Sequence, residues 1–383
     1  MTWNPQATVT IDGTSFTSKA LSDISISFGR TNIWEQPRTS YATISLLNDT
    51  NVDNHIDMNH SVVIKVKNSA GTDVTLFTGK VTQINNVIQS LGATATVAVQ
   101  TVTAIGAFAD MSRVSLGGSA WPKEYDSDRM SRILTAAGVS IDTIDTPGVY
   151  EFQAITPPVS DAYTLAAEYA QQAFGYIYET PTGTVGYANE SRRFVDITAN
   201  GYKVIPNSYI NWASVSSQKT LADITNSIAV SYRAGTQSAS DSTSQTTYGV
   251  KAATVSTELH NSTDAQTQAD RYITLRAYPR TSLSTFTIQL DSDKVSDANR
   301  DIFLAGVIGK AIEITALPIA IKNTLYRGFV EGYTMSINRT QMSLTMATTD
   351  YTYSITPTRW QDVSAALIWS AVSATKTWST YDD

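Results

Sequence analysis

A strand written twice in one chain constrains the fold more than any local motif does. Phe77-Thr78-Gly79-Lys80-Val81-Thr82-Gln83-Ile84 aligns without a gap on Tyr326-Arg327-Gly328-Phe329-Val330-Glu331-Gly332-Tyr333, matching an aromatic residue, a glycine, a valine and a terminal apolar residue. Each octet leads into a second alternating stretch, residues 96–103 in one case and 342–349 in the other. Two readings are open. In a duplicated β-domain, Gly79 coincides with Gly328 and Val81 with Val330. In a pair of unrelated hairpins, each glycine only marks a bend or a close approach of another backbone.

The flanking sequence favours β-structure. Period-two alternation runs through Ile24, Ile26 and Phe28, then Ile44 and Leu46, then Val62, Ile64 and Val66, then Val97 and Val99, which predicts an antiparallel β-unit with one buried face. Near residue 113 the pattern changes. Ser127 is placed to cap a helix to about Ala137 with Gly138 as its C-terminal stop, and a second helix starts at Ser160 and stops at Gly175. Tyr176 to Glu179 and Val185 to Ala188 then read as a hairpin turning at Pro181 to Gly183. Strands return from Ile224 to Arg233, and again from Thr285, Ala311, Leu325 and Met342, with a helix capped by Thr263 and Gln266 between them.

Residues 234–247 are rich in Ser, Thr and Gln, a composition that predicts either a mobile loop or a docking loop ordered by a partner. At the end of the chain, Thr358 and Gln361 form a capping box after Pro357, predicting a helix to about 371 that carries Trp360 and Trp369, with Trp378 beyond it. That apolar surface must be buried, against the chain's own surface or as an anchor into a neighbouring subunit.

Composition narrows the function. Charged residues are 16% of the chain, and Ser and Thr fill the gap at roughly a quarter. The net charge of −7 argues against specific nucleic-acid binding, which gains affinity by neutralising phosphates with clustered Lys and Arg. The absence of cysteine excludes disulfides, Cys-zinc sites and thiol catalysis. No apolar run reaches the length of a membrane span, and the first residues lack a secretory signal.

Nucleophile elbows, phosphate loops, dinucleotide fingerprints and paired metalloprotease histidines are absent. The run holding Asp49, Asn51, Asp53, His55, Asp57 and His60 fails as a calcium loop, since its sixth position is Asn54 instead of Gly and its twelfth is His60 instead of Glu. Asp126 with Asp128, and Asp291 with Asp293, are ordinary turn carboxylates unless a cleft brings them together. No catalytic, metal or cofactor site is expected.

Taken in order, Gly29-Arg30, Gln36-Pro37-Arg38, Leu46-Leu47-Asn48, the Phe-Thr-Gly-Lys-Val octet, an α+β region, Tyr248-Gly249 and Arg327-Gly328-Phe329-Val330-Glu331-Gly332 resemble minor tail proteins that form the baseplate hub of long-tailed bacteriophages, a group related to the hub of contractile tails. The resemblance implies a mainly β chain with an α+β insertion: a first β-barrel tube domain over 1–112, an α+β peripheral domain over 113–212, a second barrel over 213–356 with a helical excursion around 263–305, and a Trp-containing tail over 357–383. It further implies a homotrimeric ring of six barrels that meets a six-fold tail tube and lines a DNA channel in the virion's tail tip, assembled in the host cytoplasm beside tube, tape measure and other tail-tip proteins. Gly79, Gly328, Trp360, Trp369 and Trp378 are the expected interaction residues. A carbohydrate-binding adhesin that uses exposed Trp and Tyr is the alternative, with a glycosidase more distant.

Overall fold

In the computed structural model, which describes residues 3–16, 21–48, 53–91, 96–283, 285–318, 325–355, 358–359 and 381–382, apolar alternation shapes the first third of the chain. Its strands are Thr8–Ile11 (β1), Thr14–Phe16 (β2), Leu21–Gly29 (β3), Arg38–Asn48 (β4), Ser61–Lys67 (β5), Asp73–Leu91 (β6) and Thr96–Ile105 (β7). Ile24, Ile26, Phe28, Ile44, Leu46, Val62, Ile64 and Val66 all face inward and are buried, as period-two side chains on one sheet face must be. Val97 and Val99 are only half-buried, because they lie on the outer part of the long β6–β7 hairpin.

Helix Asp126–Ala137 (α1), strand Ile141–Ile144 (β8), helix Ala162–Gln172 (α2), strands Tyr176–Glu179 (β9) and Val185–Ala188 (β10), helix Arg192–Asn200 (α3) and strand Lys203–Ile205 (β11) follow. The helix starts differ from expectation by a residue or two. Asp126 takes over the start of α1, its carboxylate accepting the Val149 and Tyr150 N–H groups and the Tyr187 hydroxyl. At α2 the Asp161 side chain accepts the Thr164 N–H, so Asp161 caps it instead of Ser160.

The rest of the chain contributes Ser217–Gln218 (β12), Ser227–Tyr232 (β13), Gly235–Ser240 (β14), helix Ser242–Tyr248 (α4), Ala252–Ser256 (β15), helix Ser262–Arg276 (α5), Ser282–Leu283 (β16), Phe286–Gln289 (β17), helix Asp297–Leu304 (α6), Ala311–Thr315 (β18), Leu325–Ile337 (β19) and Met342–Asp350 (β20). Three expectations are overturned. Residues 234–247 are no open loop: β14 pairs along β13, and Asp241 caps α4 by accepting the Ser244 N–H. Hydrogen bonding does what apolar burial cannot, since the Ser244 hydroxyl is fully buried and donates to the Ala277 carbonyl at 2.5 Å. Helix α5 is capped by Asn261, which accepts the Asp264 N–H, and not by Thr263. At the C-terminus Thr358 and Arg359 form a short strand beside Tyr381 and Asp382 in place of a helix cap. The remainder of the expected terminal helix, with Trp360, Trp369 and Trp378, lies outside the described residues.

The fold is mainly β, with a sheet of 12 strands at its centre, antiparallel except where β11 runs parallel to β18. Its order is β11-β18-β19-β3-β4-β7-β6-β5-β1-β2, with β20 joining β19 to β17. Among the described residues this path does not close on itself. Both β-units share the one sheet, joined where β3 of the first pairs with β19 of the second, and one apolar cluster runs from Val9 to Met346 beneath it. A second cluster fills the space among α1, α2, α5, β9, β10 and β13.

The two units match pair for pair. Val62 faces Gly79 as Ile312 faces Gly328, and Ile64 faces Phe77 as Ile314 faces Tyr326. The register to the next strand shifts between Val81 and Gln83 in one unit and between Val330 and Gly332 in the other. The entering turns also agree: Asn59 and Gly309, both left-handed, donate to the Val81 and Val330 carbonyls at 2.8 Å each. A Cβ on Gly79 would lie 2.3 Å from the Ile105 carbonyl oxygen and against the Phe77 ring, and one on Gly328 would lie 2.8 Å from the Thr349 oxygen and 2.7 Å from the Tyr326 hydroxyl. The aromatic residue two positions earlier lies over the glycine each time, filling the room a side chain would occupy. Gly79→Ala and Gly328→Ala should therefore each lower stability by about 1–3 kcal/mol, read from urea unfolding midpoints. A neutral effect at one site only would separate the two environments.

Candidate functional site

Three parts of the chain meet at one carboxylate. The register of β19 shifts between Val330 and Gly332, leaving Glu331 as the extra residue of a bulge. Glu331 shares the face of Phe329, where Arg193 lies over the Phe329 ring and covers it from solvent. The counterpart of Glu331 in β6 is Thr82, whose hydroxyl donates to the Thr103 carbonyl. Glu331 instead accepts from Arg30 Nε at 2.7 Å and Arg193 Nη2 at 2.8 Å, both on Oε2. Arg30 follows β3, Arg193 opens α3, and all three side chains are buried.

Backbone geometry brings them together. Gly29, with φ +84°, pairs with Gly332, and a Cβ on Gly29 would sit 2.3 Å from the Glu331 carbonyl oxygen. Only glycine lets the two units approach this closely. The Arg30 N–H donates to the Glu331 carbonyl at 3.0 Å, its Nη1 to the Glu35 carbonyl at 2.7 Å, and Arg193 Nη1 to the Ser354 hydroxyl at 2.7 Å. Tyr176 lies against both guanidinium groups, at 5.2 and 5.1 Å. Burial on its own raises the pKa of Glu331, but Arg193 and Arg30 outweigh it and hold the carboxyl down at about 2.

Next to this triad lies a cavity of ≈ 160 Å³ lined by Arg30, Arg193, Arg271, Arg276, Glu190 and Tyr176 among others. Arg271 pairs with Glu190. Arg276 stacks over Trp34 at 3.8 Å and Tyr353 at 5.0 Å, and burial draws its pKa down to about 10. The chemistry here is that of a clamp: cations are held by carboxylates and aromatic faces, and no nucleophile and base stand together.

The residues singled out by sequence fall elsewhere. Gly79 and Gly328 occupy equivalent places in the two units, apart from each other, and the three tryptophans lie outside the described residues. Asp126 is buried while Asp128 is exposed, so they do not form a pair. Asp291 accepts the Met342 N–H, and Asp293 is exposed. Among the described residues, no group of three or more His, Cys, Asp or Glu side chains is placed to hold a metal, and no helix is long and apolar enough to cross a membrane. Sequence reasoning quoted Arg30 and Glu331 without a role and passed over Arg193.

No family model and no curated protein sequence matches the chain. Its fold, however, is shared with solved structures. The 43 kDa tail protein of prophage MuSo2 from Shewanella oneidensis superposes with a TM-score of 0.62 at 10% identity, over 92% of this chain and 98% of that one. The tail protein from Neisseria meningitidis MC58 superposes with a TM-score of 0.65, also at 10% identity, over 92% of this chain and 98% of that one.

The clamp has a pH signature. Glu331 titrates near 2 in the fold and near ~4.3 when unfolded, so its stabilisation is complete above about pH 5 and is lost as pH falls towards 2. Glu331→Gln should destabilise by about 3–5 kcal/mol at pH 7 because it leaves two buried cations unpaired. The gap from the wild type should narrow steadily below pH 4 in denaturant titrations. A gap that stays constant from pH 7 to pH 3 would mean Glu331 is not ionised in the fold.

Proposed function

We propose that this chain is a structural hub protein of a phage tail tip or baseplate, three copies of which form a ring that adapts a six-fold tail tube and lines the DNA channel. The observation that carries this is the pair-for-pair equivalence of the two β-units, since two such units in each of three chains present six like surfaces. The fold shared with two tail proteins supports it. The net charge of −7 suits a channel through which DNA slides without sticking.

On this reading residues 1–112 and 213–356 are the tube domains, each barrel-like unit completed by its neighbours in the ring, with 113–212 as the periphery. The partners are further copies of the chain, tube and tape measure proteins, and other tail-tip proteins in the virion. Trp360, Trp369 and Trp378 in the tail over 357–383 contribute subunit contacts. The adhesin alternative draws less support: Trp121 is buried, Trp34 has Arg276 stacked on one face, and the other large exposed aromatics among the described residues, Tyr41, Tyr125 and Phe194, sit on separate elements.

Native mass measurement of the full-length protein, with imaging of the species found, should show a trimer with an open axis. A dimer or hexamer would sink the ring reading. Deleting residues 357–383 should leave the thermal unfolding of the β-units unchanged and weaken the trimer; a truncated chain that assembles as well as the whole one would remove the tryptophans from the interface.

A further inference from the structure

The internal joint between the units shows which edges join one copy to the next. In the second unit, residues 332–337 of β19 are covered along their outer edge by β3, in six pairs from Gly332 opposite Gly29 to Ile337 opposite Ile24. Their counterparts in the first unit are residues 83–88 of β6, because Ile84 faces Val102 as Tyr333 faces Met346, and Ile88 faces Ala98 as Ile337 faces Met342. Among the described residues that edge of β6 has no strand beside it. It also leaves Val87 and Ile88 exposed at 44% and 61%, an open edge of the kind that proteins cover.

The occupant follows from the same correspondence. Within the first unit, β3 lies against β4 with Leu21 opposite Leu46 and Ser27 opposite Tyr41. Strands β16 and β17 are the counterpart of β4, since Phe286 faces Met346 as Ile44 faces Val102. Against them lie Ile210, opposite Ile288, and Ser217, opposite Leu283. Residues 210–211 and 215–218 are therefore the second unit's equivalent of β3, interrupted by a 3-10 turn, Trp212–Ser214, whose last hydrogen bond runs from the Val215 N–H to the Trp212 carbonyl. Strand β12 pairs on one side only, with β16, among the described residues.

We propose that residues 84–87 of β6 in one copy pair antiparallel with residues 215–218 of the next copy, Asn85 opposite Ser217 and Val87 opposite Val215. The contact repeats Thr334 opposite Ser27, whose hydroxyls meet at 3.2 Å on one face. The occupant is a second copy of this chain because the internal joint already shows the two matching edges in register. The inference rests on the ring reading, and adds which edges form it.

Since the chain has no cysteine, engineered cysteines report without background. Full-length Asn85→Cys and Ser217→Cys variants are co-expressed and oxidised; directly opposite residues lie within the Cα separation of about 4.4–6.8 Å that a disulfide spans. A covalent dimer containing the 85–217 linkage, absent from either variant alone, is expected. Asn86→Cys in place of Asn85→Cys points to the other face and should link several-fold more slowly. A trimer by native mass without the 85–217 linkage would overturn the proposed edges and leave the ring standing. Absence of both trimer and linkage would overturn both.

Discussion

The structure depends on a carboxylate that three distant parts of the chain cannot leave unpaired. Glu331 has Arg30, 301 residues away, and Arg193, 138 residues away, on a single oxygen. Removing such a group from water costs several kcal/mol, so neither β3 nor α3 can separate from β19 without exposing its own cation or stranding the acid. Hydrophobic burial holds each layer together and sets which face of each strand is inside. The triad adds a directional constraint, because its geometry ties the first unit, the second unit and the α+β region at one point.

The molecule holds two equivalent bulged strands that do different work. At the bulge, Thr82 makes a local hydrogen bond across the hairpin while Glu331 draws in two arginines. The glycine and its aromatic cover are kept in both, since a side chain there would collide with a backbone carbonyl in either unit. What the close approach of strands demands is the same in both units; the bulge side chain, free of that demand, differs.

Much of this was legible in the sequence. Alternation located β3 to β5, and β19 starts at Leu325 as read. The glycine, valine and aromatic spacing identified the repeated strand before any pairing was known. The clamp was not legible, for a physical reason: a charged residue in an alternating strand reads as facing solvent, and nothing local shows that Arg30 and Arg193, with Tyr176 against them, cover that face. Arg193 had no local signal, because its partner comes from the opposite end of the chain. The Ser-rich segment misled because counting apolar residues misses order gained from Asp241 and the buried Ser244 hydroxyl. Sheet closure is likewise not a property of any strand's own sequence.

The joint at Gly29 and Gly332 has a mechanical side. Two glycines in contact, six paired residues and a buried ionic knot make the seam between the units of one chain short, close and stiff. At the positions that correspond on the outer edges stand Gln83 and an exposed Lys219, side chains too large for the same approach. A ring built from this chain would therefore alternate rigid seams with compliant ones. Under load from above it would yield at every second seam, dilating with three-fold symmetry although its units repeat six-fold.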